Sequence, residues 1–148
     1  MSEIKSSERL GLRGGLAHFE STLRLLGGAN ATGAIAAGAA FHAFEKNADV
    51  QSAVKTAAVL FLFGIFTFVI GYVGLFLATH DIDHSLHQKD EPTWPEYLFW
   101  IPTKSAEEYR KAAKREFIVT IFGGLASFIL FLIGLAYVLM MAAQLLLG

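Results

Sequence analysis

The 148-residue sequence contains no cysteine, which excludes disulfide bonds, cysteine zinc sites, thiol catalysis and iron–sulfur clusters. It also lacks an excess of charge of either sign, since 12 Lys and Arg stand against 13 Asp and Glu. Without a basic field we expect no nucleic-acid partner. Proline is scarce, and its three occurrences are confined to one short segment, at Pro92, Pro95 and Pro102. Long helices are therefore unobstructed over most of the chain.

Apolar residues are what the sequence has in abundance, at 54% of the chain with a mean hydropathy of +0.49. Ala57 to Ala78 holds no charged residue over 22 positions, and a helix of that length measures about 33 Å. This is enough to cross the hydrocarbon core of a bilayer. Leu25 to Phe44 and Phe117 to Gly148 are also uncharged. The sequence thus predicts an all-α integral membrane bundle of three transmembrane helices, built as a single domain.

The predicted segments differ in character along the chain. Leu12, Leu16 and Phe19 continue to Leu23 and Leu26 at helical spacing, which indicates an amphipathic N-terminal helix. This helix either lies in the membrane interface or forms the early part of the first membrane helix, with a break or late start expected at Gly14 and Gly15. In chain order the segments are an amphipathic segment 1–24, a first span 25–44, a second span 55–79, a cytoplasmic or interfacial loop 80–104, and a long helix 105–147 containing the third span.

Helix starts are marked by two local signals. Asn47 and Asp49 are both suitable N-caps for the second span. Ser105, followed three residues later by Glu108, matches a capping box. We therefore expect the last helix to begin at about Ser105.

Small residues recur at intervals that favour close helix packing. The second span carries Ala57, Gly64, Gly71 and Ala78, and the third carries Thr120, Ser127 and Gly134, both at intervals of seven. The first span has two neighbouring rows, Gly27, Ala31, Ala34, Gly38 and Gly28, Thr32, Ala36, Ala40. We expect the second and third spans to face one another. Asn30 and His42 are polar groups that should face protein, water or headgroups rather than lipid tails.

Orientation follows from the positions of Lys and Arg. Four lie before the first span, two between the first and second, six between the second and third, and none after Phe117. The positive-inside bias then predicts a cytoplasmic N-terminus and an external C-terminus. Trp94, Tyr97 and Trp100 are predicted interfacial anchors. A group of basic residues precedes the third span, and its role is either to control topology or to contact lipid headgroups. The group consists of Arg110, Lys111, Lys114 and Arg115.

A histidine and aspartate cluster follows the second span. If the helix continues, His80, His84 and His87 fall on one face, with Asp83 nearby. Imidazoles one turn apart with a carboxylate can bind a divalent metal. A pH-responsive cap and a solvated helix end, where histidines interact with the helix dipole, are the alternatives. Apart from this metal, no cofactor is indicated.

Motifs for catalysis are missing. The sequence has no P-loop, serine triad, dinucleotide-binding glycine motif or paired intramembrane carboxylates. The uncharged runs Ala57 to Ala78 and Phe117 to Gly148 contain no ionisable side chain except Tyr72 and Tyr137. We therefore expect a protein that is not an enzyme.

The first span resembles the opening of small uncharacterised bacterial three-span inner-membrane proteins. The matching residues are Arg24, the run Asn30-Ala31-Thr32-Gly33-Ala34, and Ala39-Ala40-Phe41, and the resemblance covers about residues 20–80. It implies a bacterial inner-membrane location and transfers no site or reaction.

Three functional hypotheses follow. The first is a non-catalytic membrane protein that packs through its small-residue faces, as a homo-oligomer or as an accessory subunit of a membrane complex. The second is a membrane-permeabilising effector gated from its cytoplasmic loop. The third is a metal-binding or transport-related protein using the histidine and aspartate cluster. Membrane lipids are expected partners in all three.

Overall fold

The computed structural model describes residues 2–44, 47–87 and 105–147, with the side chains of residues 2–15, 84, 86, 87, 106, 146 and 147 outside that description. Every element in these ranges is an α-helix. They are α1 (Ser2–Ala43), α2 (Ala48–His87) and α3 (Ala106–Leu147). The prediction of an all-α helical bundle is confirmed.

Local signals explain where two of the helices begin. The side chain of Asn47 accepts a hydrogen bond from the backbone N–H of Val50 at 3.2 Å, so Asn47 caps α2. Ser105 and Glu108 form the reciprocal bonds of a capping box: the Ser105 backbone N–H donates to the Glu108 carboxylate at 2.7 Å, and the Glu108 N–H donates to Ser105 Oγ at 3.4 Å. The predicted start of the last helix is confirmed.

Helix boundaries differ from the sequence-based expectation in two places, at Gly14 and Gly15 and after residue 79. α1 is continuous through Gly14 and Gly15, because glycine weakens a helix by only about 1 kcal/mol per residue and a break would release several backbone hydrogen bonds. α2 begins at Ala48, directly after the predicted N-cap Asn47 and seven residues before the predicted span, and Val50 and Val54 in this first part are buried in the core. It also continues through the histidine cluster to His87 rather than ending at residue 79.

α2 and α3 form the central pair of the bundle. They run antiparallel, with Gly64 opposite Ser127 and Gly71 opposite Gly123 and Gly124. α1 packs mainly on α2 and touches α3 at a few points, including a ring contact of 5.7 Å between the centroids of Phe19 and Phe117. A hydrophobic cluster joins all three helices where the C-terminal part of α1, the N-terminal half of α2 and the C-terminal part of α3 meet. It consists of Ala37, Val50, Val54, Ala57, Phe61 and Met141.

Among the described residues, two segments are long and apolar enough to cross a membrane, Ala48–Asp83 in α2 and Glu107–Leu145 in α3. α1 is not one of them, because Gly, Ala and Asn30 dilute its apolar character. The structure thus supplies two candidate spans where the sequence predicts three.

Candidate helix-packing and charged sites

The small residues of α2 and α3 lie where these two helices meet. Ala57, Ala78, Thr120 and Ser127 are completely inaccessible to solvent. A Cβ placed on Gly71 would lie 3.2 Å from the backbone nitrogen of Gly124. The two backbones are therefore in direct contact, which only small side chains permit.

Gly123, which sequence periodicity did not single out, makes an even closer approach. A Cβ there would lie 2.7 Å from the Cα of Gly71 and 2.9 Å from the carbonyl oxygen of Thr67. The neighbouring atoms are backbone, so they cannot rotate away. Gly134, at the far end of its row, instead packs on the ring of Phe61.

A buried hydrogen-bond network joins the three helices at mid-height. The Asn30 side-chain amide donates to Ser127 Oγ at 3.0 Å and to the Leu26 carbonyl at 3.1 Å. Ser127 Oγ in turn donates to the Gly64 carbonyl at 2.9 Å. Asn30 Oδ1 is buried without a conventional donor among the described residues, and it lies where a Cβ on Gly64 would stand. Gly64 is thus required for Asn30 to fit.

The small residues of α1 divide between two faces. Gly27 packs on the ring of Phe68, and Asn30 and Ala37, farther along α1, are also buried. Ala31 is only partly covered, and Gly38 is exposed, with nothing within 4 Å of its Cβ position. Gly38 is therefore not a packing residue within this chain, because it lies on a side of α1 that α2 does not reach.

The uncovered side of α1, called here the outer face, is made mainly of small or polar residues: Leu25, Gly28, Thr32, Ile35, Ala36, Ala39, His42 and Ala43. Only two of these are large and apolar, Leu25 and Ile35. Among the described side chains, α2 exposes nine large apolar residues and α3 exposes fourteen. The outer face of α1 is thus different in kind from the other exposed surfaces.

A charged cluster lies between α1 and α2 near the N-terminal part of α1. Arg24 Nη2 donates to Glu20 Oε1 at 2.6 Å and to the Tyr72 hydroxyl at 3.1 Å, and that hydroxyl donates to the same Glu20 oxygen at 3.1 Å. The bond to Tyr72, followed by the nearby Glu20 charge, raises the pKa of Arg24 above its ordinary value. The guanidinium, which precedes the uncharged part of α1, therefore stays charged.

Glu20 and Tyr72 of this cluster also line a groove between α1 and α2, which has a volume of about 230 Å³ and which Arg24 adjoins. Its lining is mostly apolar and consists of Leu16, Ala17, Glu20, Tyr72, Leu75, Phe76 and Thr79. The sequence pattern does not indicate this site, because Glu20 and Arg24 fall within the predicted amphipathic segment 1–24, whereas Tyr72 belongs to a separate span. The sequence signal for this site is the polar hydroxyl of Tyr72 within a span of mainly apolar residues.

The predicted metal residues continue α2 by two turns. His80 is partly buried, with Nδ1 3.3 Å from Asp81 Oδ1, and Asp83 is exposed. The side chains of His84 and His87 lie outside the described residues. Over the described residues, no group of three metal-ligating side chains is brought together, so the metal site remains a prediction.

Asp81, which the sequence did not single out, is the inward-facing residue of this turn. It is 6% exposed, and its Oδ2 is buried with no hydrogen-bond partner among the described residues. Ser85, one turn later, is also buried. The buried side of this helix end therefore carries a carboxylate, while Asp83 faces solvent.

The basic group Arg110, Lys111, Lys114 and Arg115 is exposed on α3. Lys111 pairs with Glu107 at 3.0 Å, with both side chains more than 70% exposed. Such a pair contributes little to stability. The predicted anchors Trp94, Tyr97 and Trp100 lie outside the described residues.

Comparison with known proteins adds no relative: no protein-family model, curated protein or solved structure matches this chain. Functional reasoning therefore depends on the surfaces described above.

Proposed function

We propose that this protein is a non-catalytic integral membrane protein that assembles with a second copy of itself through the outer face of α1. The supporting observation is the contrast between exposed surfaces. α2 and α3 present many large apolar side chains, as helices in contact with lipid do, whereas the outer face of α1 presents mainly glycine, alanine, threonine and histidine, with Leu25 and Ile35 as its large apolar residues. Small residues at a helix surface allow a second helix to approach closely.

The spacing on the outer face fits such a contact. Gly28, Thr32 and Ala36 are all exposed and four residues apart, so they line up along one side of α1. A Cβ on Gly28 would meet nothing within 4 Å, which leaves room for a neighbouring backbone. In contrast, the rows on α2 and α3 are occupied within the chain and are not available to a partner.

A second copy is the simplest occupant because the same face then serves both partners. In an isologous dimer, each exposed glycine or threonine is covered by the corresponding row of the other copy. Low apolarity of α1 is then no obstacle to crossing, since α2 covers one side and the partner's α1 covers the other. A different membrane protein on this face would make the chain an accessory subunit.

Disulfide crosslinking tests this dimer. Because the sequence contains no cysteine, a single introduced cysteine can form a disulfide only with another chain. Thr32→Cys in native membranes should form a disulfide-linked dimer when oxidised, while Phe66→Cys, a control at an exposed position on α2, should not. Ala36→Leu added to Thr32→Cys should reduce the dimer at least about tenfold, because the larger side chain prevents close approach. Alkaline extraction of the membranes measures integration independently.

Two results would contradict this proposal. Equal crosslinking of Thr32→Cys and Phe66→Cys would indicate random collision. A crosslink from Thr32→Cys to a different protein would replace the second copy by a hetero-oligomeric partner.

A further inference from the structure

We propose that the groove between α1 and α2 binds the headgroup of a membrane phospholipid bearing a primary amine, with Glu20 receiving the ammonium and Arg24 the phosphate. This inference rests on the membrane location in the proposed function. It goes beyond helix packing, because it gives the groove a ligand of a stated chemical class.

The first argument is unused bonding capacity at one place. Both hydrogen bonds of Arg24 use Nη2, and both bonds to Glu20 use Oε1. Among the described residues, Nη1 and Nε of Arg24 and Oε2 of Glu20 have no further partner. The side chains remain 66% and 40% exposed. A charged donor and a charged acceptor therefore lie together, each open to a ligand of opposite charge.

The second argument is the fixed position of these two charges. The Tyr72 hydroxyl contacts both Glu20 and Arg24, and the guanidinium also lies over the Tyr72 ring at 5.9 Å from its centroid. Tyr72 belongs to the central α2 helix. Glu20 and Arg24 are thus held in position by α2. A charged pair along a single exposed helix lacks this support, and its side chains lose more conformational entropy when a ligand binds.

The third argument is size. The volume of about 230 Å³ is several times the ~30 Å³ that one water occupies in the liquid. It is smaller than the roughly 300–1,000 Å³ of pockets for drug-sized ligands. An ethanolamine headgroup matches this scale, and the apolar walls at Leu75 and Phe76 suit its methylene groups.

The fourth argument is depth. The groove ends at Thr79, directly after the uncharged run of α2 and next to His80. On α1, its lining residues precede Leu25, where the uncharged segment begins. In a membrane, the groove therefore lies at the level where headgroups meet acyl chains.

Charge complementarity selects among phospholipids. Phosphoethanolamine carries both a phosphate for Arg24 and an N–H donor for Glu20. A choline headgroup has the same charge but no N–H group. A phosphoglycerol headgroup has no cation, and it would bring its phosphate close to the Glu20 carboxylate. Hydrogen bonds to charged groups are the stronger ones, so the amine is the discriminating feature.

The experiment measures lipid adducts on the detergent-purified protein by native mass spectrometry. Phosphatidylethanolamine, phosphatidylcholine and phosphatidylglycerol with identical acyl chains are titrated separately. We expect wild-type protein to retain one phosphatidylethanolamine at about tenfold lower concentration than phosphatidylcholine. Glu20→Gln should remove this preference, and Arg24→Gln should weaken binding of all three. Ala17→Trp should abolish the adduct by filling the groove.

Matched controls are provided by the exposed pair on α3, Glu107 and Lys111, which has the same charges one turn apart but no groove. Glu107→Gln and Lys111→Gln should leave the preference for phosphatidylethanolamine over phosphatidylcholine unchanged. Tyr72→Phe keeps the ring and removes only the hydroxyl, so it should weaken the preference in a protein whose helical content is preserved.

Equal retention of phosphatidylethanolamine and phosphatidylcholine by the wild type would overturn the inference, and so would an unaffected adduct in Ala17→Trp. A loss of preference in Glu107→Gln equal to that in Glu20→Gln would also overturn it. Alkaline extraction separates this outcome from failure of the proposed function: a protein that resists extraction and forms the Thr32→Cys dimer without lipid preference contradicts only the lipid site.

Discussion

At the scale of single residues, Asn30 best shows how a polar side chain is accommodated in an apolar bundle. Its amide donates to α1 and α3, and its Oδ1 lies against the Cα of Gly64 on α2. A Cα–H group is a weak hydrogen-bond donor. Asn30 Oδ1 can approach the Gly64 backbone closely only because residue 64 has no Cβ. Hydrogen bonds between membrane helices contribute on average about 0.6 kcal/mol. The fit of Asn30 therefore matters as much as its bonds.

A substitution at Gly64 tests this fit. Gly64→Ala should destabilise the protein by about 1–3 kcal/mol, because the added methyl group occupies the position of the Asn30 amide. Gly38→Ala is the matched control: it has open space, so stability should stay equal or rise by up to about 1 kcal/mol. Equilibrium unfolding in mixed micelles measures both. Similar stability of the two variants would contradict this account of Asn30.

At the scale of elements, the α2–α3 pair is the part of the fold that depends most on glycine. Gly71 and Gly123 bring two backbones together, and Thr120 and Ser127 fill the remaining space without solvent exposure. α1 makes a looser contact, in which Gly27 and Gly33 meet the rings of Phe68 and Phe61. Rings at the ends of side chains can rotate, whereas a backbone cannot.

This difference predicts unequal effects of the same substitution. Gly123→Ala should destabilise the bundle by about 1–3 kcal/mol, because the new methyl group meets backbone atoms of Gly71 and Thr67. Gly27→Ala should cost clearly less, since only the Phe68 ring must move. Thermal unfolding followed by circular dichroism compares the two. A larger loss in Gly27→Ala would show that α1, not the α2–α3 pair, limits stability.

At the scale of the whole molecule, the number of membrane crossings depends on α1. α2 and α3 are apolar enough by themselves, while α1 is covered on one side by α2 and has a small-residue outer face. Three crossings would place ten of the twelve Lys and Arg residues on one side, which agrees with the positive-inside bias. We therefore expect the two ends of the chain on opposite sides.

Cysteine labelling in intact cells tests this topology. Gln144→Cys should react with a membrane-impermeant maleimide from outside, because the C-terminal end is predicted to be external. Ser2→Cys should react only after lysis. Labelling of both ends from the same side would show an even number of crossings and would remove α1 from the set of spans.

Much of the architecture could be predicted from sequence because it depends on local chemistry. Ser105 and Glu108 define a helix start through bonds within one turn, and Asn47 does the same for α2. The end of α2 was harder to predict, because the helix continues past residue 79 to His87 with Asp81 and Ser85 buried. The charged cluster was missed because Glu20 and Tyr72 are 52 positions apart.

The sequence by itself determined the helical class, the apolar α2 and α3 helices and the positions of their small residues, because composition and periodicity act along one chain segment. Only the tertiary structure decided which faces were used. It turned the rows of α2 and α3 inward, left Gly28, Thr32 and Ala36 uncovered, and joined Glu20 and Arg24 to Tyr72 beside a groove. These outcomes depend on how separate helices rotate and approach one another, which no single segment specifies.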